Sequence, residues 1–484
     1  MTESAPSRWA LLPLGGVLAA IAVSMTGTRI STIALPWFVL VSTGSATRTG
    51  LVMFCEMTPY VLVKAFTGPV VDRIGPRTVS WTTDLASATA AAAVPLLHTV
   101  GVLSFPLLLA LVASIGAVRG PGDLAKEVMV PEAAERGRVP LARATGLSGM
   151  TEGLASTLGP AAGGALVALL GPLTGLVVNA GCFALGSVII GLALPRGMGH
   201  AASEAAAQAG ATGYWRRFGE GFTFLRGELL LLTIIVTAGI TNLLNAGFVA
   251  VLMPVWAKES GNGPTAIGLL NAVSGAAVVG GSLIAAVLAR RLRRRVVFFT
   301  GFLLAGAPKF LILAVDAPMA AVLAVFAVSG FGAGFLNPVL GAVLFERVPR
   351  RILGRVSALG DSLSWAGIPL GGLIAGVAVA SAGLVPVLLV GGAAYFLTTN
   401  LSGLRPEWRE MDSARGASRG HTANQCSPQG VTSTRSGPPR GSTTRSGPDP
   451  LRGQGCVPSP AMRRSHPDTG VEEHPGESHA EQTG

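Results

Sequence analysis

Seven charged residues sit inside otherwise apolar stretches of this 484-residue chain: Arg29, Glu56, Lys64, Asp84, Glu152, Lys309 and Asp361. A charge at membrane depth costs about 2.5–3.5 kcal/mol on insertion scales, so such residues face a cavity or one another. The chemistry this set suits is proton exchange, because a carboxylate in a dry cleft cannot hold a proton and a cationic cargo together. Glu56 is the first candidate: it lies in the outer half of its span, where it can trade protons with the external medium, and Asp361 is the second. Counting about 1.5 Å per residue from the helix ends puts Arg29 level with Glu56, where the two could pair. The same count brings Lys64 to Asp84 nearer the cytoplasm; both pairs also admit a purely structural reading. Glu152 lies close enough to a loop to be hydrated.

The elements that must hold these residues are membrane helices. Half of the residues are hydrophobic, 13% are charged and the mean hydropathy is +0.56, a composition that excludes an ordinary water-soluble surface. Apolar runs of roughly 20 residues cross a hydrocarbon core of about 30 Å as helices. Twelve are expected, near 11–40, 48–71, 78–98, 102–125, 145–169, 173–195, 229–256, 266–289, 296–316, 318–343, 355–381 and 384–404. The first is too long for a cleaved signal peptide. The fold class is therefore all-α, with six spans in 1–195, a cytoplasmic linker over 196–228, six spans in 229–404 and a Pro-, Gly-, Ser- and Arg-rich tail over 405–484 that is expected to be disordered.

Arginine sets the orientation. Arg73 and Arg77, then Arg136, Arg138 and Arg143, then Arg216, Arg217 and Arg226 fall in alternate loops, as do the run from Arg290 to Arg295 and the group Arg347, Arg350, Arg351 and Arg355. Cytoplasmic loops retain such residues, so both termini are expected in the cytoplasm. The formal net charge of +11 then reflects topology rather than a nucleic-acid partner. Cys55 and Cys182 lie in spans and Cys426 and Cys456 in the tail, which implies no disulfide framework.

Two motifs carry a function. Gly68-Pro69-Val70-Val71-Asp72-Arg73-Ile74-Gly75-Pro76-Arg77 joins spans two and three through a tight turn at Gly75, and Asp72 is placed to pair with an arginine or a helix end when the cytoplasmic side closes. An ordinary positive-inside turn remains the alternative. In span five, Gly159-Pro160-Ala161-Ala162-Gly163-Gly164, with Gly146 upstream, predicts a proline kink and a small-residue face that approaches a helix of the other half. Gly367-Ile368-Pro369-Leu370-Gly371-Gly372 echoes it in span eleven, as expected of two halves related by internal symmetry.

On these residues the sequence resembles the major facilitator superfamily, whose loop signature is met by Gly68, Asp72, Arg73, Gly75 and Arg77 while Pro76 departs from the usual basic residue. The span-five motif is associated in that family with exporters that run as proton antiporters; Gly146, Gly159, Pro160, Gly163 and Gly164 fit it, and Ala155 replaces a further glycine. Phe335-Leu336-Asn337-Pro338, Val348-Pro349 and Gly354-Arg355-Val356 are similar to the macrolide-efflux and siderophore-exporter branch. An arginine expected midway in span four has no counterpart, Arg119 lying toward the cytoplasmic end of the expected span.

The resemblance implies a plasma-membrane multidrug exporter driven by a proton gradient, a monomer without a cofactor. No phosphate-binding loop is present for ATP, and His98 is the one histidine near the spans, which disfavours metal enzymology. Phe54, Met57, Phe248 and Trp365 are expected to wall a pocket for a bulky amphipathic cargo. Asn242 and Asn245, with Asn179 and Asn337, serve either as polar glue between helices or as cargo contacts. A proton-coupled importer and a non-transporting receptor stay open as alternatives.

Overall fold

A backbone in lipid must satisfy its polar groups within its own segment, and the described residues form helices joined by short turns. This computed structural model describes residues 8–196, 198, 219, 222–288, 294–348 and 353–403. All of them belong to the first of two units, Met1–Gln425 and Cys426–Gly484. Expectations for the body of the linker, the tail, the basic run over 290–293, Arg350 and Arg351, and the side chains of Asp72 and Asn337 lie outside the described residues.

Twelve spans are present among the described residues. The first six are Arg8–Thr43, Ala46–Phe66, Pro76–Thr99, Phe105–Arg136, Leu141–Leu170 and Pro172–Ala193. Span seven is Leu229–Gly247, continued by a π-helical turn over Phe248–Leu252 and by Met253–Glu259; span eight is Gly263–Leu288. Span nine is broken into Arg294–Ala305 and Ala307–Ala314, span ten is Met319–Arg347, span eleven is broken into Leu353–Trp365 and Ile368–Ala382, and span twelve is Leu384–Gly403. Eleven of the described helices are long and apolar enough to cross a membrane; span three falls short because Ser80, Asp84 and Ser87 replace apolar residues on its buried face.

Packing repeats between the first six spans and the last six. Span one packs on five and six, span two on four, and span three on four and six; correspondingly seven packs on eleven and twelve, eight on ten, and nine on ten and twelve. The two sets meet through span five against eight and span two against eleven. Lipid tails are as apolar as leucine, so close backbone approach rather than hydrophobic burial holds such helices together. Large apolar side chains correspondingly point outward, Leu169 and Leu192 being 81% and 82% exposed.

The repeated glycine motif explains the symmetry residue by residue. A side chain on Gly163 would press on Ile30 of span one, and one on Gly371 on Leu243 of span seven. A side chain on Gly164 would collide with Gly268 of span eight, while Gly50 of span two lies directly against the Gly372 carbonyl. The first glycine of each pair thus seats a helix of its own set and the second meets the other set. This corrects the sequence expectation that the whole span-five motif forms the seam: Gly159 packs on Arg29 of span one, and Gly146 faces open space. Span five also runs as one continuous helix through the buried Pro160.

The seam closes at one end only. Gly164, Gly50 and the hydrogen bond from the Thr47 hydroxyl to the Gly376 carbonyl at 3.2 Å all lie toward the end away from the arginine-rich turns. There too Lys258 donates to the Leu40 carbonyl at 3.2 Å. Toward the arginine-rich end, Gly146, Gly149 and Gly153 have no neighbour close to where a side chain would sit, and Met150 is 64% exposed. Gly164→Leu should therefore overpack the closed seam by about 1–3 kcal/mol. In a background lacking the native cysteines, Thr47→Cys should be protected from an impermeant maleimide and become reactive when Gly164→Leu is added; equal protection would contradict this packing.

Gly75, at φ 97°, makes the sharp turn expected between the short helix Gly68–Ile74 and span three. Arg73 is exposed, whereas Arg77 donates to the carbonyls of Leu194 at 2.9 Å and Gly191 at 2.6 Å. A guanidinium there satisfies carbonyls left over at the end of span six and complements its dipole. Arg77 thus ties the turn to its own set of helices.

Candidate transport site

Spans two and four run side by side in a fixed register. Glu56 meets Arg119, Tyr60 meets Asp123 and Lys64 meets Glu127, each pair 63 residues apart in sequence. Positions four apart on a helix share a face, so one stripe on each span builds the whole ladder. Gly116 and Gly120 let the helices approach: a side chain on Gly116 would collide with the Glu56 backbone, and one on Gly120 would come within 3.0 Å of the Tyr60 carbonyl.

Glu56 and Arg119 form a buried ion pair at 3.1 Å, their side chains 10% and 9% exposed. The Arg119 guanidinium lies over the Tyr60 ring, 4.3 Å from its centroid, and its Nε is 3.7 Å from Asp123. The Tyr60 hydroxyl donates to Asp123 at 3.3 Å. Lys64 pairs with Glu127 at 3.1 Å and reaches across to the Trp365 ring of span eleven at 5.6 Å. Asp84 pairs with Lys126 at 2.7 Å, both side chains 3% exposed.

Both pairings expected from depth are corrected by this arrangement. Glu56 turns toward span four, and Arg29 makes no salt bridge to another described residue while its stem packs on Gly159. Lys64 and Asp84 face different positions of span four instead of each other. Arg119 is also better placed than an apolar window ending near 125 suggests: the helix continues to Arg136, which puts Arg119 near its middle. Asp123, Lys126 and Glu127 break the hydropathy of a stretch whose charges pair with Tyr60, Asp84 and Lys64 of the neighbouring helices. The signal that finds them is the constant offset between two polar stripes.

The Asp84–Lys126 pair carries a stability prediction. Removing one partner of a buried pair costs about 3–5 kcal/mol, because the other charge stays behind. Asp84→Asn should lower the thermal midpoint of the purified protein markedly, and Asp84→Leu with Lys126→Leu should recover most of the loss. A single variant as stable as the parent would contradict the burial described.

The last six spans line a half-open cavity of about 540 Å³. Asn242, Asn245, Asp361 and Trp365 line it, as does Lys309, whereas Phe54 and Met57 of span two do not and Phe248 is buried beside Lys309. Both asparagines act as glue as well as lining: Asn242 donates to the Ser364 carbonyl at 3.1 Å, and Asn245 accepts from Lys309 at 2.5 Å. The π-helical turn of span seven follows Asn245 closely and presents Phe248 to Lys309, whose ammonium is 5.1 Å from the ring centroid. Such turns recur at functional sites. No group of acids, cysteines and histidines among the described residues is arranged to hold a metal ion.

A family profile described as transmembrane secretion effector, within the major facilitator superfamily, matches residues 11–439. The chain belongs to this superfamily of transporters. It is 31% identical over 414 residues to the multidrug efflux pump Tap of Mycolicibacterium fortuitum, covering 83% of this chain and 98% of that protein. It is 32% identical over 406 residues to the pump of the same name from Mycobacterium tuberculosis, covering 82% and 94%. The fold is similar to that of the nucleoside transporter NupG, with a TM-score of 0.63 at 12% identity over 82% of this chain and 98% of that one. It is also similar to a bacterial homologue of the lysosomal transporter Spinster, at 0.57 and 14% over 87% and 99%. The transporter is thus a multi-pass membrane protein with the twelve-helix fold, and Arg119 supplies the mid-span arginine that the resemblance led one to expect.

Proposed function

We propose that this transporter exports bulky amphipathic compounds from the cytoplasm in exchange for protons, by alternating access. Relatives named as multidrug efflux pumps, matched over nearly their whole length, support the cargo class and direction. The observation that carries the coupling is the buried Glu56–Arg119 pair. A proton on Glu56 removes its charge, releases Arg119 toward Asp123 and so changes how spans two and four are held. Span two is also a seam helix, lying against span eleven, and the titration of one carboxylate therefore bears on the contact between the two sets of spans.

The arginine-rich end is cytoplasmic in this reading and both termini lie on that side of the plasma membrane. The conformation with that end apart then receives cargo from the cytoplasm with Glu56 ionised and paired. Turning outward exposes the ladder to the external medium, where proton binding accompanies cargo release; the protonated carrier returns and discharges inside. The transporter acts as a monomer, does no covalent chemistry on its cargo and takes its energy from the gradient without a cofactor. Everted vesicles carrying it should accumulate hydrophobic cationic dyes or macrolides when acidified inside, and a protonophore should abolish the uptake. Uptake indifferent to the protonophore would defeat antiport, and none across a broad panel would defeat multidrug export.

A further inference from the structure

We infer that the cavity of the last six spans is built to take the anionic group of a cargo, so that the transporter accepts carboxylate-bearing amphiphiles, zwitterions among them. The inference names a cargo class for the export reading above and rests on that reading.

Lys309 is the reason. Its ammonium lines the cavity, donates to Asn245 and sits by the face of Phe248, but it makes no salt bridge with a described residue. A neutral amide uses one of three donors and cancels no charge, and a lone cation in such surroundings is costly until an anion joins it. The backbone adds to the same field. Span nine breaks at Gly306, and Ala307-Pro308-Lys309 forms the first turn of the eight-residue helix that follows, so Lys309 stands at the positive end of a half-helix. Interrupted membrane helices direct such ends at anionic groups of a cargo. Tyr395 also lines the cavity.

Asp361 completes the specificity. Among the cavity's lining residues Lys309 and Asp361 are the charged ones; they make no salt bridge with each other, and Asp361 is exposed. One molecule can satisfy both if its carboxylate reaches Lys309 and its amine stays near Asp361. The volume of about 540 Å³ suits a drug-sized molecule.

The test uses the purified full-length protein in nanodiscs and two probes that differ in one group: a fluoroquinolone with a free carboxylate and its methyl ester. The acid should bind about tenfold tighter than the ester, the size expected of a hydrogen bond to a charged group. Lys309→Gln should bring the acid-to-ester affinity ratio to about one, and Lys309→Arg, which keeps the charge, should retain the preference. Equal binding of acid and ester to the unmodified protein would overturn the inference without any variant, and so would a Lys309→Gln protein that loses both probes alike, as a structural or proton-carrying lysine would. Should the binding preference hold while neither probe is moved in energised vesicles, the cavity assignment stands and the export reading fails.

Discussion

Glu56→Gln is expected to abolish accumulation driven by a proton gradient while leaving cargo-for-cargo exchange in place. Glutamine keeps the shape of the side chain and a hydrogen bond to Arg119, but it cannot alternate between charged and neutral forms. A transporter so altered can still bind cargo and reorient; it cannot tie that movement to a proton. The two readouts separate coupling from a merely structural ion pair, which would lower accumulation and exchange together in proportion to the loss of folded protein. They are measured on one preparation of vesicles, first with an imposed gradient and then with labelled cargo at equal pH. Glu56→Asp, which restores a carboxylate at shorter reach, should recover part of the gradient-driven signal.

Arg119→Met is expected to be the most destabilising change in the ladder. It leaves the Glu56 carboxylate buried without compensation, a loss of about 3–5 kcal/mol for a pair as enclosed as this one. It also removes the guanidinium from the Tyr60 ring and from Asp123. Arg119→Lys should rescue only part, because an ammonium cannot lie flat on the ring while addressing two carboxylates. The double variant Glu56→Gln with Arg119→Met should recover stability without recovering transport. Thermal unfolding of the four proteins in detergent closes a double-mutant cycle, and a coupling near zero would show that the pair contributes nothing to the fold.

The twelve spans were legible in the sequence because apolar runs of membrane length say where helices lie. Span four shows the limit of that rule: beyond Arg119 it carries Asp123, Lys126 and Glu127, which pair with other helices, so hydropathy ends it early and misplaces Arg119. Partners were less legible than spans for a related reason. Depth along a helix follows from counting residues, but the direction a side chain faces depends on how each helix is rotated, and that separates Arg29 from Glu56 and Lys64 from Asp84. The paired glycines were readable because their spacing itself encodes two opposed contacts, although in each motif it is the second glycine, Gly164 or Gly372, that meets the other set of spans. In the cavity, Asn242, Asn245, Asp361 and Trp365 could be named from polar or aromatic character at membrane depth, whereas nothing in the sequence showed that Phe54 and Met57 look elsewhere.

Export by antiport requires cargo and proton to move in opposite directions through one protein, and reconstituted liposomes follow both at once. With the purified transporter in the bilayer, a pH-sensitive dye trapped inside and no imposed gradient, cargo added outside should enter the liposomes and raise the internal pH as protons leave, and Glu56→Gln should give no pH change. An internal pH that falls with cargo entry would make the protein a symporter, and cargo entry with no pH change in the unmodified protein would contradict proton coupling altogether.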